Sequence, residues 1–296
     1  MPPTAVARAI TPVLGDLIAL TKPRLAFFSV LSAMAAYAAA GGPADAGHAL
    51  ITLLGTAFAA GGALSLNQWW ERDLDRLMQR TRGRPLPRAA LAAPVALAWS
   101  LALGAGGLIV LGVWVNTLAA ALAATTILLY GLVYTPLKRR TRWATEIGAV
   151  AGALPPLLGG AAAGRLDSPT AWILFAVLLC WQMPHFFAIG WMHRDDYRVA
   201  GFPLLPAIDP TGRRTAGWSL AYTLVLLPVS VAPWLAQATG AIYGVTALVA
   251  GTGFLWCAVR FVRANDQRDT TARRLFLASI LYLPVVMAAL LLDRVL

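Results

Sequence analysis

Nine long runs of mainly apolar residues constrain this chain's fold more than any other feature. A helix needs about 20 such residues, at about 1.5 Å each, to cross a hydrocarbon core about 30 Å thick. We therefore predict an all-α polytopic membrane protein with nine transmembrane helices around a central cavity. The predicted spans are residues 25–41, 47–68, 92–113, 116–136, 144–163, 169–192, 216–236, 241–261 and 275–293.

The charge content agrees with a membrane protein. Only 12% of the 296 residues are charged, against roughly 25% in soluble proteins. A soluble globular domain, a disordered chain and a disulfide-rich secreted domain are therefore excluded. The two cysteines, Cys180 and Cys257, lie within apolar runs without metal or disulfide spacing, so we interpret them as core residues.

Two segments depart from a regular span. Glu146 and the Pro155-Pro156 pair interrupt the fifth run, which predicts a kinked or broken helix packed inside the protein. Residues 1–24 mix prolines, Arg8 and Asp16 without a sustained apolar core, so we predict a cytoplasmic leader and not a signal peptide. Residues 25–296 then form a single transmembrane domain.

Basic residues fix the predicted orientation. With nine spans, 22 of the 24 Lys and Arg residues lie on one side of the membrane, and only Arg165 and Arg294 lie on the other. The positive-inside rule places the N-terminus in the cytoplasm and the C-terminus outside. We expect the protein to lie in the cytoplasmic (inner) membrane. The basic residues form short clusters between apolar runs, so the net charge of +11 does not indicate a nucleic-acid partner.

The first chemical motif follows the second span. On a helix, Asn67, Glu71 and Asp75 lie at 0°, 40° and 80° and share one face, whereas Asp73 points away. Such oxygen ligands suit Mg²⁺, and substrate phosphates usually complete its coordination shell. Arg80 and Arg84 follow in a basic turn, and acids beside arginines predict a diphosphate site. The alternative is that these charges neutralise one another at the headgroup level and set the topology.

Two further motifs lie on the same predicted side. Lys138 and Arg139 follow the fourth span, and Lys22, the only other lysine, precedes the first. Each lysine could be a point charge on a phosphate or a snorkelling residue at a helix end.

The sixth span carries an ionisable group. His185 lies inside it after Pro184, among apolar and aromatic residues, which suits a flat or iron-bearing ligand. The alternative is a core histidine bonded to a carbonyl. His193 lies at the end of this span, and Asp195 and Asp196 form a second acidic cluster.

Together these motifs resemble the UbiA superfamily of intramembrane prenyltransferases, and within it the branch that acts on haem. The most diagnostic run is Asp195-Asp196-Tyr197-x-x-Ala200-Gly201-x-Pro203-x-Leu205-Pro206, and the similarity extends from Lys22 to about Thr215. Glu71 stands where the superfamily most often has Asp, and Ala144 where many members have Asn. The other matching motifs are Asn67-x-x-x-Glu71-x-x-x-Asp75, Arg80-Thr-x-x-Arg84-Pro85-Leu, Tyr134-Thr-x-x-Leu137-Lys138-Arg139-Arg140-Thr141, Gly152-Ala-x-Pro155-Pro156 and Pro184-His185-Phe186.

This resemblance implies an activity and a set of site residues. The activity is transfer of the farnesyl group of farnesyl diphosphate to a vinyl group of haem b, with addition of water and with Mg²⁺ as cofactor. The implied partners are these two substrates, the bilayer, and proteins of haem A synthesis or terminal oxidase assembly. The implied metal ligands are Asn67, Glu71, Asp75, Asp195 and Asp196, which with Lys138 form the catalytic set; Lys22, Arg80, Arg84, Lys138 and Arg139 would bind diphosphate, and His185 or His193 haem.

Two alternatives remain at this point. An aromatic quinone precursor could replace haem as the acceptor of a related prenyltransferase. A transporter is the other, because the fifth span is broken and polar groups lie near the membrane interior.

Overall fold

The computed structural model describes residues 5–295, with side chains for residues 13–293, and this part of the chain is all α-helical. A π-helical segment, Leu129–Tyr134, joins α5 to α6. The predicted all-α class is therefore confirmed. The helices are α1 Ala5–Leu20, α2 Pro23–Ala39, α3 Ala46–Asp75, α4 Ala93–Trp114, α5 Thr117–Leu128, α6 Thr135–Leu137, α7 Ala144–Ala153, α8 Pro155–Ala162, α9 Pro169–Met192, α10 Arg194–Val199, α11 Leu205–Ile208, α12 Arg213–Leu235, α13 Ala241–Arg263 and α14 Arg268–Val295.

The number of uninterrupted spans is smaller than predicted. Among the described residues, seven helices are long and apolar enough to cross a membrane, or eight if the bent pair α1–α2 forms one span. The predicted fifth span is instead α7, of 10 residues, and α8, of 8 residues. Pro155 and Pro156 lack the N–H groups that would continue α7, so the helix ends before them.

The broken span is packed inside the protein, as the proline pair predicted. Pro155 and Pro156 are both buried, as is every other residue of α8. Gly159 lies against the backbone of α2, where a Cβ atom would clash with the Ala33 carbonyl oxygen. Glycine therefore permits the close approach of α8 to α2.

The predicted leader contains a helix that packs on the bundle. The Gln68 side chain of α3 donates hydrogen bonds to the carbonyl oxygens of Ala19 (3.2 Å) and Leu20 (2.8 Å). Arg88 pairs with Asp16 of α1. The chain then bends by 48° into α2, and Lys22 at the bend has a left-handed backbone with φ of 46°. The side chains of Arg8 and Arg294 lie outside the described residues.

Two groups of helices are evident from the packing. α3 packs along α4 and α2, while α9 packs along α12 and α14. The π-helical segment and α6 lie against α3. The end of α3 that the charge pattern predicts to be cytoplasmic therefore lies beside the basic residues 138–142, which follow α6. This contact positions the candidate site.

Candidate active site at the end of helix α3

The last two turns of α3 carry a buried polar face. Asn67, Glu71 and Asp75 are 1%, 6% and 1% exposed, whereas 68% of the Asp73 side chain is exposed. A single helix, Ala46–Asp75, holds all of them, so the 100° rotation per residue separates Asp73 from the other three. The predicted shared face is confirmed.

Each member of this face is paired with a cation from a different segment. Lys22 Nζ donates to Asn67 Oδ1 at 2.7 Å, and Lys138 Nζ donates to Glu71 Oε1 at 2.7 Å. Arg84 Nη1 donates to Asp75 Oδ2 at 2.7 Å. We name these six residues the α3 cluster. It includes both lysines of the chain.

Lys138 is held as a permanent positive charge. Burial alone would lower the pKa of its ammonium group, but the Glu71 carboxylate, with Tyr134 and Tyr130, outweighs burial and raises this pKa well above its ordinary value. The Lys138 ammonium also lies 4.5 Å from the centroid of the Tyr134 ring, in cation–π contact. Removal of one partner from a buried ion pair of this kind lowers the free energy of unfolding by about 3–5 kcal/mol.

Thr135 supports the cluster from the other side. Asn67 Nδ2 donates to Thr135 Oγ1 at 3.1 Å, and Thr135 Oγ1 donates to the Tyr130 carbonyl at 2.7 Å. The amide of Asn67 is thereby fixed with its oxygen toward Lys22. Sequence reasoning did not assign this role, although a polar residue between Tyr134 and Pro136 in an apolar run was a signal for it.

The oxygen atoms of this face suit a hard divalent cation whose coordination shell is completed by substrate oxygens. Asp75 Oδ1 is buried and has no hydrogen-bond partner. Within the described residues, no three His, Cys, Asp or Glu side chains are grouped closely enough to hold a metal alone. Mg²⁺ is usually bound through one or two carboxylates plus phosphate oxygens and waters, so Glu71, Asp75 and Asn67 match its requirement without a full protein cage.

One cavity adjoins the α3 cluster, and a second lies near it. The first is a cleft lined by Trp70, Glu71, Thr135 and Arg139 among others. The second is lined mainly by small and apolar side chains of α2, α3, α5, the π-helical segment, α7 and α8, including Ala63, Thr126 and Tyr130. Ala63 lies one helical turn before Asn67, so the apolar cavity lies deeper than the α3 cluster along the same helix.

The second acidic motif is placed differently from the first. The Asp196 carboxylate accepts backbone N–H bonds from Gln79 (3.1 Å) and Arg80 (3.2 Å), and so anchors the turn that follows α3. Asp195 pairs with Arg198 at 2.8 Å, and 78% of its side chain is exposed. The structure therefore does not bring Asp195 and Asp196 together with Glu71 and Asp75. The side chains of Arg80 and Arg139 are exposed.

The two candidate haem ligands have different surroundings. His185 Nδ1 lies 2.8 Å from Ser279 Oγ, and the ring stacks on Trp181 at 5.3 Å between centroids. His193 directly follows α9, next to the second acidic motif. Partial burial and the nearby Arg80 lower the pKa of His193 below its ordinary value.

Comparisons with known proteins identify the family. Residues 26–280 match the model of the UbiA prenyltransferase family. The chain belongs to this family. It is 46% identical to a protoheme IX farnesyltransferase of Opitutus terrae, over 95% of each chain. It is 42% identical to the protoheme IX farnesyltransferase of Solibacter usitatus, over 94% of this chain and 98% of the relative.

Solved structures share the UbiA fold. A UbiA homologue from Aeropyrum pernix K1 superposes with a TM-score of 0.74 at 19% identity, over 92% of this chain and 98% of that one. A UbiA homologue from Archaeoglobus fulgidus bound to GPP and Mg²⁺ has a TM-score of 0.70 at 16% identity, over 93% and 99%. At these identities the likeness establishes the fold alone, and the chain is an integral membrane protein of that fold.

In this UbiA-family chain the three motifs do not contribute equally to the site. Four segments supply it: the α1–α2 bend, the end of α3, the turn after α3, and the residues that follow α6. Lys22, Arg84 and Lys138 were predicted as diphosphate ligands, and each is within hydrogen-bond distance of the α3 face. Arg84 and Lys138 pair with the carboxylates of Asp75 and Glu71, whereas Lys22 bonds the amide of Asn67.

Proposed function

We propose that this chain transfers the farnesyl group of farnesyl diphosphate to a vinyl group of haem b, giving haem O and diphosphate. The observation that carries the proposal is the buried α3 cluster, in which three basic side chains bond two carboxylates and an amide, with an apolar cavity deeper along the same helix. The name protoheme IX farnesyltransferase of the near full-length relatives supports haem b as the acceptor.

The diphosphate would bind at the α3 cluster. When Glu71, Asp75 and Asn67 turn to the metal, their present partners Lys138, Arg84 and Lys22 are freed toward the phosphate oxygens. The fork of Arg84 matches two such oxygens, and each ammonium adds a point charge. Bound Mg²⁺ would supply Lewis-acid neutralisation of the diphosphate charge. These cations stabilise the charge that grows on the leaving group as the allylic C–O bond breaks.

The farnesyl chain would lie in the apolar cavity. Small side chains, such as Ala59, Ala63 and Gly152, line it between α3, α5 and α7. The rings of Tyr130 and Tyr134, 5.2 Å apart between centroids, lie close to Lys138. Their π-faces are suited to stabilise an allylic cation that forms between the cavity and the α3 cluster.

We expect filling of this cavity to weaken farnesyl transfer. Thr126 lines it, whereas Thr125, the preceding residue of α5, is exposed. Thr126→Phe should lower kcat/KM for farnesyl diphosphate about 10- to 100-fold, because loss of a few methylene contacts costs about 1–3 kcal/mol. Geranyl diphosphate, which is shorter, should be affected less. Thr125→Phe is the matched control, and an equal loss in both variants would contradict the cavity assignment.

The second part of the reaction takes place at the vinyl group of haem b. The vinyl carbon of haem b forms a bond with C1 of the farnesyl cation, and the positive charge moves to the carbon next to the porphyrin ring. Water adds there and loses one proton, which leaves a hydroxyethylfarnesyl group.

We place the α3 cluster on the cytoplasmic side of the cytoplasmic membrane, because most basic residues lie in the connections on that side.

The direct test is a product assay in membranes. Protein in proteoliposomes, given haem b, farnesyl diphosphate and Mg²⁺, should yield a haem heavier by a farnesyl group plus water in mass spectrometry. Haem that stays unchanged, together with a prenylated phenol when a hydroxybenzoate or naphthoate is offered, would instead assign a quinone-precursor prenyltransferase.

A further inference from the structure

The hydrogen bonds around Ser279 determine which nitrogen of His185 carries a proton. Ser279 Oγ donates its single hydrogen to the Phe276 carbonyl oxygen at 2.6 Å. The same Oγ lies 2.8 Å from His185 Nδ1. A hydroxyl has one donor and two acceptor lone pairs, so Ser279 must accept the second bond. This arrangement favours the tautomer of His185 that carries its proton on Nδ1 and leaves the lone pair of Nε2 free.

The ring of His185 is held in place on both sides. It stacks on Trp181, with 24° between the planes, and lies 5.0 Å from the Phe276 ring between centroids. Trp181 Nε1 in turn donates to the Ser279 carbonyl at 2.8 Å. One turn of α14 thus fixes both the position and the tautomer of a side chain on α9.

His185 Nε2 is left open. Within the described residues it has no hydrogen-bond partner, and it is not among the buried polar atoms that the protein encloses without one. No water reaches the bilayer core, so a polar atom left without a partner there is costly. A core histidine that serves packing alone would gain nothing from an open nitrogen, whereas a ligand that accepts a lone pair would satisfy it.

We infer that Ser279 is a positioning residue that presents His185 Nε2 as the ligand for the iron of the haem acceptor. This inference rests on the proposed function. Histidines that bind a metal usually donate their other ring N–H to an oxygen, which fixes the tautomer and orients the ring. The hydroxyl of Ser279 fills that place for His185, and no other oxygen in the described residues is bonded to its ring.

The tautomer is measurable without substrate. The chain has three histidines, and ¹⁵N-histidine labelling with a His185→Ala reference assigns the ring signals of His185. We expect a protonated Nδ1 and an unprotonated Nε2 in the wild-type protein in nanodiscs, and loss of this preference in Ser279→Ala. Ser279→Thr, which retains the hydroxyl, should restore it. A proton on Nε2 in the wild type would overturn the inference.

Iron binding is tested by adding ferric haem b to the same samples. The wild type should give the Soret and EPR signature of nitrogen ligation, which His185→Gly should lose and added imidazole should restore. Ser279→Ala should weaken haem affinity about 10-fold, since loss of such a partner typically costs 10- to 100-fold. The matched control is Ser219→Ala, which removes a buried hydroxyl bonded only within α12.

The outcomes separate the inference from the proposed function. Haem O formation by the wild type, without a nitrogen-ligand signature, would overturn the role of Ser279 and His185 and leave the activity intact. Haem affinity in Ser279→Ala equal to that of the wild type would also overturn it. Prenylation of a phenol, with haem unchanged, would overturn the proposed function itself.

Discussion

Asp75→Asn should lower kcat for haem farnesylation by about 10³-fold while the protein stays folded in the membrane. The substitution keeps the shape of the side chain but removes its negative charge, and it replaces one of the two carboxylate oxygens, of which Oδ2 faces Arg84 and Oδ1 has no partner, by an NH₂ group. Loss of one preorganised electrostatic group in an active site costs about 10²–10³ in kcat, and under the proposed function Asp75 would both hold the metal and orient Arg84. Single-turnover product formation, followed by mass spectrometry, measures the effect.

The control for Asp75 is on the same helix. Asp73→Asn removes an exposed carboxylate that pairs only with Arg72 and Arg76 at 3.6–3.8 Å, and it should leave kcat within about twofold, because exposed ion pairs contribute little. Asp75→Ala should be inactive as well. Normal turnover by Asp75→Asn would remove this residue from the metal site.

Lys138→Met should destabilise the protein and inactivate it, but for two separable reasons. It leaves the Glu71 carboxylate buried without a partner, which costs about 3–5 kcal/mol. It also removes a cation at the leaving group, which we expect to lower kcat about 10²–10³-fold. Thermal unfolding in detergent reports the first effect, and the product assay reports the second.

The double variant Glu71→Gln with Lys138→Met distinguishes these effects. Removal of both charges should recover most of the lost stability, since a neutral pair needs no counter-charge, whereas turnover should stay lost. Arg76→Met is a control that removes a cation from an exposed pair and should change stability by less than about 1 kcal/mol. Recovery of turnover in the double variant would show that the two residues only support the fold.

Helical periodicity was sufficient to predict the α3 face, and for a physical reason. Asn67, Glu71 and Asp75 lie on one uninterrupted helix, where spacing in sequence fixes direction in space. In the described part of the chain, seven of the nine predicted spans are helices long and apolar enough to cross a membrane, because hydropathy and length decide whether a helix can span a bilayer. The proline pair predicted where the fifth span breaks.

Long-range pairing could not be predicted in the same way. Lys22 is 45 residues from Asn67, and Lys138 is 67 residues from Glu71, so their contacts depend on how the helices pack. The position of Asp196 is a similar case. Its residue type suits a metal, but its carboxylate caps the backbone of Gln79 and Arg80 instead. Periodicity within one helix contains no information about such contacts between helices.

The pairing of the α3 cluster has a consequence for how anions enter it. Arg84 and Lys138 offset the Asp75 and Glu71 carboxylates in a buried region, and Lys22 adds a third basic group, so the site carries its own counter-ions before substrate arrives. A passing inorganic anion would have to break these pairs without replacing the carboxylates' partners. An incoming diphosphate with its metal supplies a new partner to each side at once. Under the proposed function, entry would therefore be an exchange of counter-ions, and the site would select for the complete metal–diphosphate pair over either ion alone.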